Sequence, residues 1–162
     1  MPASEKDLFE CLNKLEISVT TIEHAPMFTV EDGERVLKDE PGGHCKTLFL
    51  KDKNASLWLV VMLGNARVDM KKLQQKIGAA RLSFAKPALM SQVLGVRPGS
   101  VTPFAIINKT AKDVNVVLEV KMMKEELLNY HPLRNDATTS IRSSDLLKFI
   151  HAMGHVPIFV DI

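Results

Sequence analysis

Cysteine is scarce in this chain, at Cys11 and Cys45 only, and the two lie far apart. A disulfide-stapled scaffold is therefore excluded, and a reducing compartment fits. Long apolar runs are missing too. The longest, Leu57 to Leu63, is far too short to span a bilayer. The opening MPASEKDLFE has no apolar core of a signal peptide. The expectation is a soluble cytoplasmic protein. An excess of one charge is also lacking: 21 Lys+Arg face 19 Asp+Glu, a net charge of +2. That argues against sequence-blind coating of phosphate and leaves room for a local basic face. Internal repeats, low-complexity tracts and linkers are absent. So are a Gly-x-Gly-x-x-Gly fingerprint, a P-loop and a Ser-His-Asp signature.

What remains is an ordinary globular composition, 46% hydrophobic and 25% charged over 162 residues. One domain spanning residues 1–162 is expected, large enough to bury a core without metal or disulfide. Ser4 with Asp7 predicts a helix start before Leu8, Cys11, Leu12 and Leu15. Ile17 to Ile22 reads as a strand, and Thr29 with Asp32 opens a short helix reaching Leu37. After Pro41-Gly42-Gly43, Cys45–Leu50 and Leu57–Leu63 read as a hairpin. The second run is apolar on both faces and predicts a central strand covered on both sides. Asp69 to Ile77 reads as a helix stopped by Gly78, and Arg81 to Phe84 as a short strand. Pro87 opens a helix that Gly95 ends. Phe104–Ile107 and Val114–Val120 are expected to pair as strands, with a helical turn in Lys121–Leu128 and a short strand at Thr138–Ile141. Ser143 or Ser144 is expected to cap a last helix closed by Gly154, before a strand at Ile158–Val160. Hairpins mixed with single helices predict an α+β fold: a mixed, mostly antiparallel central sheet flanked by helices.

Three places carry chemistry. Lys46 follows a Gly-Gly turn and shares a strand face with Leu48 and Leu50, so its cation heads an apolar face where a pocket could open. Pattern alone reads it first as a lysine snorkelling at a strand end. Gly99-Ser100-Val101-Thr102-Pro103 could form a rigid loop offering backbone N–H groups to an anion or oxyanion, or could simply connect a helix to a strand. His131, before Pro132, has a side chain that titrates near neutral pH; a structural histidine is the plainer reading. His151 and His155 have metal-ligand spacing, but Gly154 is expected to end the helix between them, and no metal or cofactor is expected. Alternation sets Cys45 opposite Lys46, which predicts a buried, inert thiol.

Together these segments resemble the YbaK/ProX-type editing domains associated with prolyl-tRNA synthetases. The stretches that carry the resemblance are His24-Ala25-Pro26 with Phe28-Thr29-Val30, Gly42 through Asp52, Val68-Asp69, Arg81 through Ala85, Leu94 through Phe104, His131 through Asn135 with Thr138-Thr139, and Gly154 through Pro157. They run over nearly the whole chain in the right order. The resemblance looks closest to the free-standing branch that clears Ala-tRNA-Pro. It implies that Lys46 is the essential lysine, and that Gly99 and Pro103 belong to a Gly-x-x-x-Pro loop that includes Ser100 and Thr102. It sets His131 near the aminoacyl pocket, and Phe28, Val30 and Arg81 on pocket walls or rims. Thr47 departs from the alanine branch, which carries Asn directly after the lysine, and is similar to the Cys-tRNA-Pro branch.

The implied reaction is hydrolysis of an aminoacyl ester. In it Lys46 would meet the terminal phosphate or the ester carbonyl, loop N–H groups would surround the carbonyl, and the terminal ribose would help place a water. The implied partner is the acceptor end of aminoacylated tRNA-Pro, with no membrane; docking on prolyl-tRNA synthetase stays open. So do three other readings: a Cys-tRNA-Pro or broader deacylase, a non-catalytic tRNA-binding module, and a small-molecule-binding domain.

Overall fold

The computed structural model describes residues 1–162 apart from the side chain of Val30. The first helix, α1 (Glu5–Lys14), begins as a reciprocal cap: Ser4 Oγ accepts from the Asp7 N–H and the Asp7 carboxylate accepts from the Ser4 N–H. It leads to β1 (Thr20–Glu23), α2 (Val30–Val36, capped by Thr29), and the hairpin of β2 (Gly43–Asp52) and β3 (Leu57–Leu63). Next come α3 (Met70–Ile77), β4 (Leu82–Phe84) and α4 (Pro87–Leu94). Both helices end on left-handed glycines, Gly78 and Gly95. The last part holds β5 (Asn115–Glu119), α5 (Val120–Met123), β6 (Leu127–Tyr130), β7 (Ala137–Arg142), α6 (Ser143–Ala152) and β8 (Ile158–Val160).

The strands form one mixed sheet in the order β1-β7-β6-β2-β3-β5-β8, with β4 also on β2. Antiparallel pairs are β1–β7, β6–β7, β2–β3 and β2–β4. Parallel pairs are β2–β6, β3–β5 and β5–β8. The α+β expectation holds. So does the central position of β3, whose alternate residues feed two different cores. Leu59, Val61 and Leu63 join a large cluster with Leu8, Leu12, Leu94, Phe104 and Phe149. Trp58, Val60 and Met62 join a smaller one with Leu73 and Ile77 of α3. Within the larger core Phe104 meets Tyr130 and Phe149 edge-on, with centroids 5.9 and 5.7 Å away. Among the described residues no helix is long and apolar enough to cross a membrane.

Four local expectations are corrected. Phe104–Ile107 is a buried 3₁₀ turn, not a strand: Pro103 stands at its start and Thr102 Oγ1 caps the Phe104 N–H at 3.3 Å. The strand expected to pair with it, β5, instead lies between β3 and β8. The helical turn in Lys121–Leu128 stops at Met123, and Leu127–Tyr130 is a strand. The first strand begins only at Thr20, because Glu16 takes a left-handed conformation and Ile17 turns into the core. Neither Ser143 nor Ser144 caps α6: Arg142 occupies that position without a side-chain bond.

Candidate functional site

β2 starts from a turn that tolerates little else. Gly42 has φ +96°, and a Cβ there would sit 2.7 Å from the Leu127 carbonyl oxygen. The buried Asn129 of β6 fastens this turn. Its Nδ2 donates to Pro41 O at 3.0 Å and Gly43 O at 3.3 Å, while Ser140 Oγ donates to its Oδ1. The next residues of β2 therefore leave a rigid base.

They line a cavity of about 510 Å³ that Lys46, Thr47, Phe28, Gly99 and His131 all reach. That size suits a drug-sized ligand, for which clefts run roughly 300–1,000 Å³. The half-buried Lys46 donates from Nζ to the Ala66 carbonyl oxygen at 2.6 Å. Gly99, also in the lining, has φ +88°, and a Cβ on it would come within 3.3 Å of the Phe28 ring. The loop thus packs against the Met27–Phe28 segment, and its positive φ favours glycine at this point. Val101 also reaches the cavity. Ser100, Thr102 and Pro103 do not: they are buried behind it, where the Ser100 N–H bonds Arg97 O at 3.0 Å and Thr102 caps the 3₁₀ turn. Their contribution is to hold Gly99 and Val101 in place.

Arg81 departs from its expected place on the rim. It is exposed just before β4, its carbonyl accepting from Lys53 N, at the end of β2 away from Lys46. The expectation for the Val30 side chain lies outside the described residues.

His131 donates from Nδ1 to Ala137 O at 3.2 Å. Burial pushes its pKa below the usual imidazole value, and the nearby His24 adds to this against the pull of the Ala137 bond. Held neutral, its ring leaves Nε2 as an acceptor. Cys45, on the opposite strand face from Lys46, has its thiol pushed up to about 12 by burial, which keeps it protonated and unreactive.

Several cavity residues escaped the sequence reading. His44, Asn129, Tyr130 and Thr138 line it, with Glu34 of α2 and Glu125 at its edge. His24, present in the sequence only as part of a motif, supports the wall by bonding Thr138 Oγ1 through Nε2 at 2.8 Å. Tyr130 was legible in principle, because Leu127–Tyr130 has the apolar and aromatic content of a strand.

A model of the aminoacyl-tRNA editing domain matches residues 24–149, a span that includes Lys46, Gly99 and His131. The chain belongs to this family. Curated relatives extend over nearly its full length. The prolyl-tRNA editing protein ProX of Acetoanaerobium sticklandii is 34% identical over 145 residues, 89% of this chain and 88% of that one. The prolyl-tRNA synthetase associated domain-containing protein 1 of Danio rerio is 34% identical over 158 residues, 96% and 86% of the two chains. Among solved structures, one described as a candidate trans-editing enzyme for prolyl tRNA synthetase superposes with a TM-score of 0.74 at 18% identity, covering 99% of this chain and 97% of that one. At that identity the likeness speaks for the fold alone.

Proposed function

We propose that the protein is a trans-editing deacylase that hydrolyses the ester of mischarged tRNA-Pro, with Ala-tRNA-Pro as its preferred substrate. Membership of the editing-domain family and the ProX relative support the reaction class. The observation that carries the reading is that Lys46, Gly99 and His131 all line one cavity.

The ester is already activated, so the protein has to orient it, admit a water and stabilise the tetrahedral oxyanion. Lys46 supplies the cation, for the terminal phosphate or for the carbonyl oxygen as it gains charge. Gly99 and Val101 present a stretch of loop backbone to the same cavity. The Ser100 N–H is committed to Arg97 O, whereas the Gly99 and Val101 N–H groups bond no protein atom among the described residues. A neutral His131 can accept a proton or orient the attacking water through Nε2.

A proline-shaped synthetase pocket rejects a smaller amino acid by only about 1–3 kcal/mol per missing methylene, so a second and smaller sieve is useful. Thr47, on the cavity wall, keeps a second preference in view, cysteine. Prolyl-tRNA synthetase is the natural docking partner for such an activity. The test is to compare deacylation of Ala-, Cys- and Pro-tRNA-Pro by the purified protein. Ala-tRNA-Pro should be cleaved fastest and Pro-tRNA-Pro spared. Faster attack on Cys-tRNA-Pro would reassign the specificity, and equal attack on Pro-tRNA-Pro would defeat the sieve.

A further inference from the structure

The pairing register of β2 leaves one peptide edge open inside the cavity. In a strand, successive residues turn their main-chain N–H and C=O to opposite edges. The His44 carbonyl accepts from Gly64 N at 2.7 Å and the Asp52 N–H donates to Ser56 O at 2.9 Å, so even-numbered residues of β2 face β3. The Phe49 carbonyl accepts from Ala85 N at 3.0 Å, so odd-numbered residues face the other edge. Two strands share that edge. β6 pairs with Gly43 and His44, and the pairing with β4 begins at Leu50. Thr47 falls between them. The β4 register, continued, would bring Pro87 opposite Thr47, but Pro87 has no N–H and already opens α4. Among the described residues nothing outside the β2 ladder bonds the Thr47 main chain. Thr47 nevertheless lines the cavity beside Lys46.

An unpaired strand edge is a template for another main chain. An amino acid in ester linkage keeps the right pair of groups: an α-ammonium that donates and, three bonds on, a carbonyl oxygen that accepts. Resting on the deacylase reading, we propose that the Thr47 main chain holds the aminoacyl group as a one-residue β-strand. Its carbonyl accepts from the substrate's α-ammonium, and its N–H donates to the acyl carbonyl oxygen. When water adds to the acyl carbon, the C=O π pair moves onto that oxygen, and the Thr47 N–H is already aimed at the new charge. This pairing reads the features common to all α-amino acids and leaves side-chain size to the remaining walls. The Thr47 hydroxyl has no part in it.

The experiment replaces the Thr47 peptide N–H by an ester oxygen, using the α-hydroxy acid analogue of threonine in semi-synthetic protein, and sets it beside the same exchange at Val156, which is exposed and outside the cavity lining. Single-turnover deacylation of Ala-tRNA-Pro should slow by about 10²- to 10³-fold in the Thr47 ester, as for loss of one oxyanion donor. The Val156 ester should stay within about threefold of wild type, since it removes no group that faces the substrate. A Thr47 ester as fast as wild type, or a Val156 ester slowed as much as the Thr47 ester, would overturn the proposal. Amide exchange decides the matter if the ester variant fails to fold. Binding of 3′-deoxy-3′-(L-alanylamino)adenosine should slow exchange at the Thr47 N–H of the intact protein, and unchanged exchange with the analogue bound would overturn it. A wild-type protein that deacylates no charged tRNA would instead sink the deacylase reading, and this proposal with it.

Discussion

The Lys46 ammonium lies 2.6 Å from the carbonyl oxygen of Ala66, in the loop that follows β3. A flexible side chain is thereby held at the cavity wall before any substrate arrives. The bond uses one of three ammonium donors and leaves two for a phosphate or ester oxygen. Lys46→Met keeps the apolar stem and removes the charge. It should lower the single-turnover deacylation rate by about 10²- to 10³-fold, the usual cost of losing one oxyanion donor. The thermal unfolding midpoint, measured alongside, should change little. Equal rates in the two proteins would remove Lys46 from the chemistry.

Tyr130 is the single tyrosine of the chain, so its ionisation can be read without interference. It is buried, its hydroxyl lies 3.2 Å from Met122 Sδ, and burial drives its pKa well above the ordinary value, with Cys45 adding to the effect. The sign follows from linkage. The folded state keeps this proton longer than the unfolded state, so the stabilisation is complete below the unfolded value of about 10 and is lost as pH climbs beyond it. Cys45, pushed up to about 12, acts in the same direction from about pH 9 upward. Tyrosinate absorbance should therefore appear only together with loss of helical circular dichroism. An ordinary titration in the folded protein would refute the assignment.

How legible this arrangement was in the sequence varied with the kind of signal. The run Leu57–Leu63 gave its bounds and its two-sided burial correctly, because an apolar residue at every position requires a cover on each face. Asp69 with Gly78, and Pro87 with Gly95, marked their helices by the chemistry of the ends. Phe104–Ile107 misled, because a short apolar run has the same composition in a strand and in a buried 3₁₀ turn, and only the cap from Thr102 tells them apart. Lys46 stood out through the Gly-Gly turn before it. Asn129 did not, since its partners Pro41, Gly43 and Ser140 are remote in sequence and come together only through the parallel pairing of β2 with β6.

Asp52 and Trp58 give a second spectroscopic handle at the far end of β2. The buried Asp52 accepts from the N–H groups of Asn54, Ser56 and Ala80 and from Trp58 Nε1, at 2.9 to 3.2 Å. Burial opposes its charge, but these donors outweigh burial and hold its pKa below the ordinary carboxylate value. The resulting stabilisation is present above the unfolded value of about 4 and is lost as pH falls through the folded one. Asp52→Ala strands several of the donors and should cost about 1–3 kcal/mol in denaturant unfolding. Because Trp58 is the only tryptophan, the same variant should shift its fluorescence. Wild-type stability in Asp52→Ala would contradict this account.

Arg134 joins the start of the chain to its last third. It bonds Glu5 of α1 at 2.6 Å, Asp136 at 2.9 Å and Glu23 of β1 at 3.0 Å. Glu23 is 80% exposed and Glu5 only 30%. Exposed pairs contribute little, so Glu23→Gln should be near neutral, whereas Arg134→Met should cost about 1 kcal/mol or slightly more. Hydrogen exchange should show the loss first at the α1 end. Equal destabilisation by the two variants would count against this ordering.

His131 ties the cavity to pH. With Nδ1 donating to Ala137 O, the neutral ring offers Nε2 to the site, and protonation would turn that acceptor into a donor. Burial depresses the pKa, so the neutral form persists below the ordinary imidazole value of about 6.5. For the fold, the sign is that of a buried neutral base: its contribution is present above the unfolded pKa and is lost as pH falls through the folded one. For the reaction, kcat/KM corrected for uncatalysed hydrolysis should be level near neutral pH and fall only below that ordinary value. His131→Gln keeps a polar side chain without the titration. It should react about 10²- to 10⁴-fold more slowly if the ring acts as a base, and show no acid limb. An acid limb that survives in His131→Gln would assign the titration to another group.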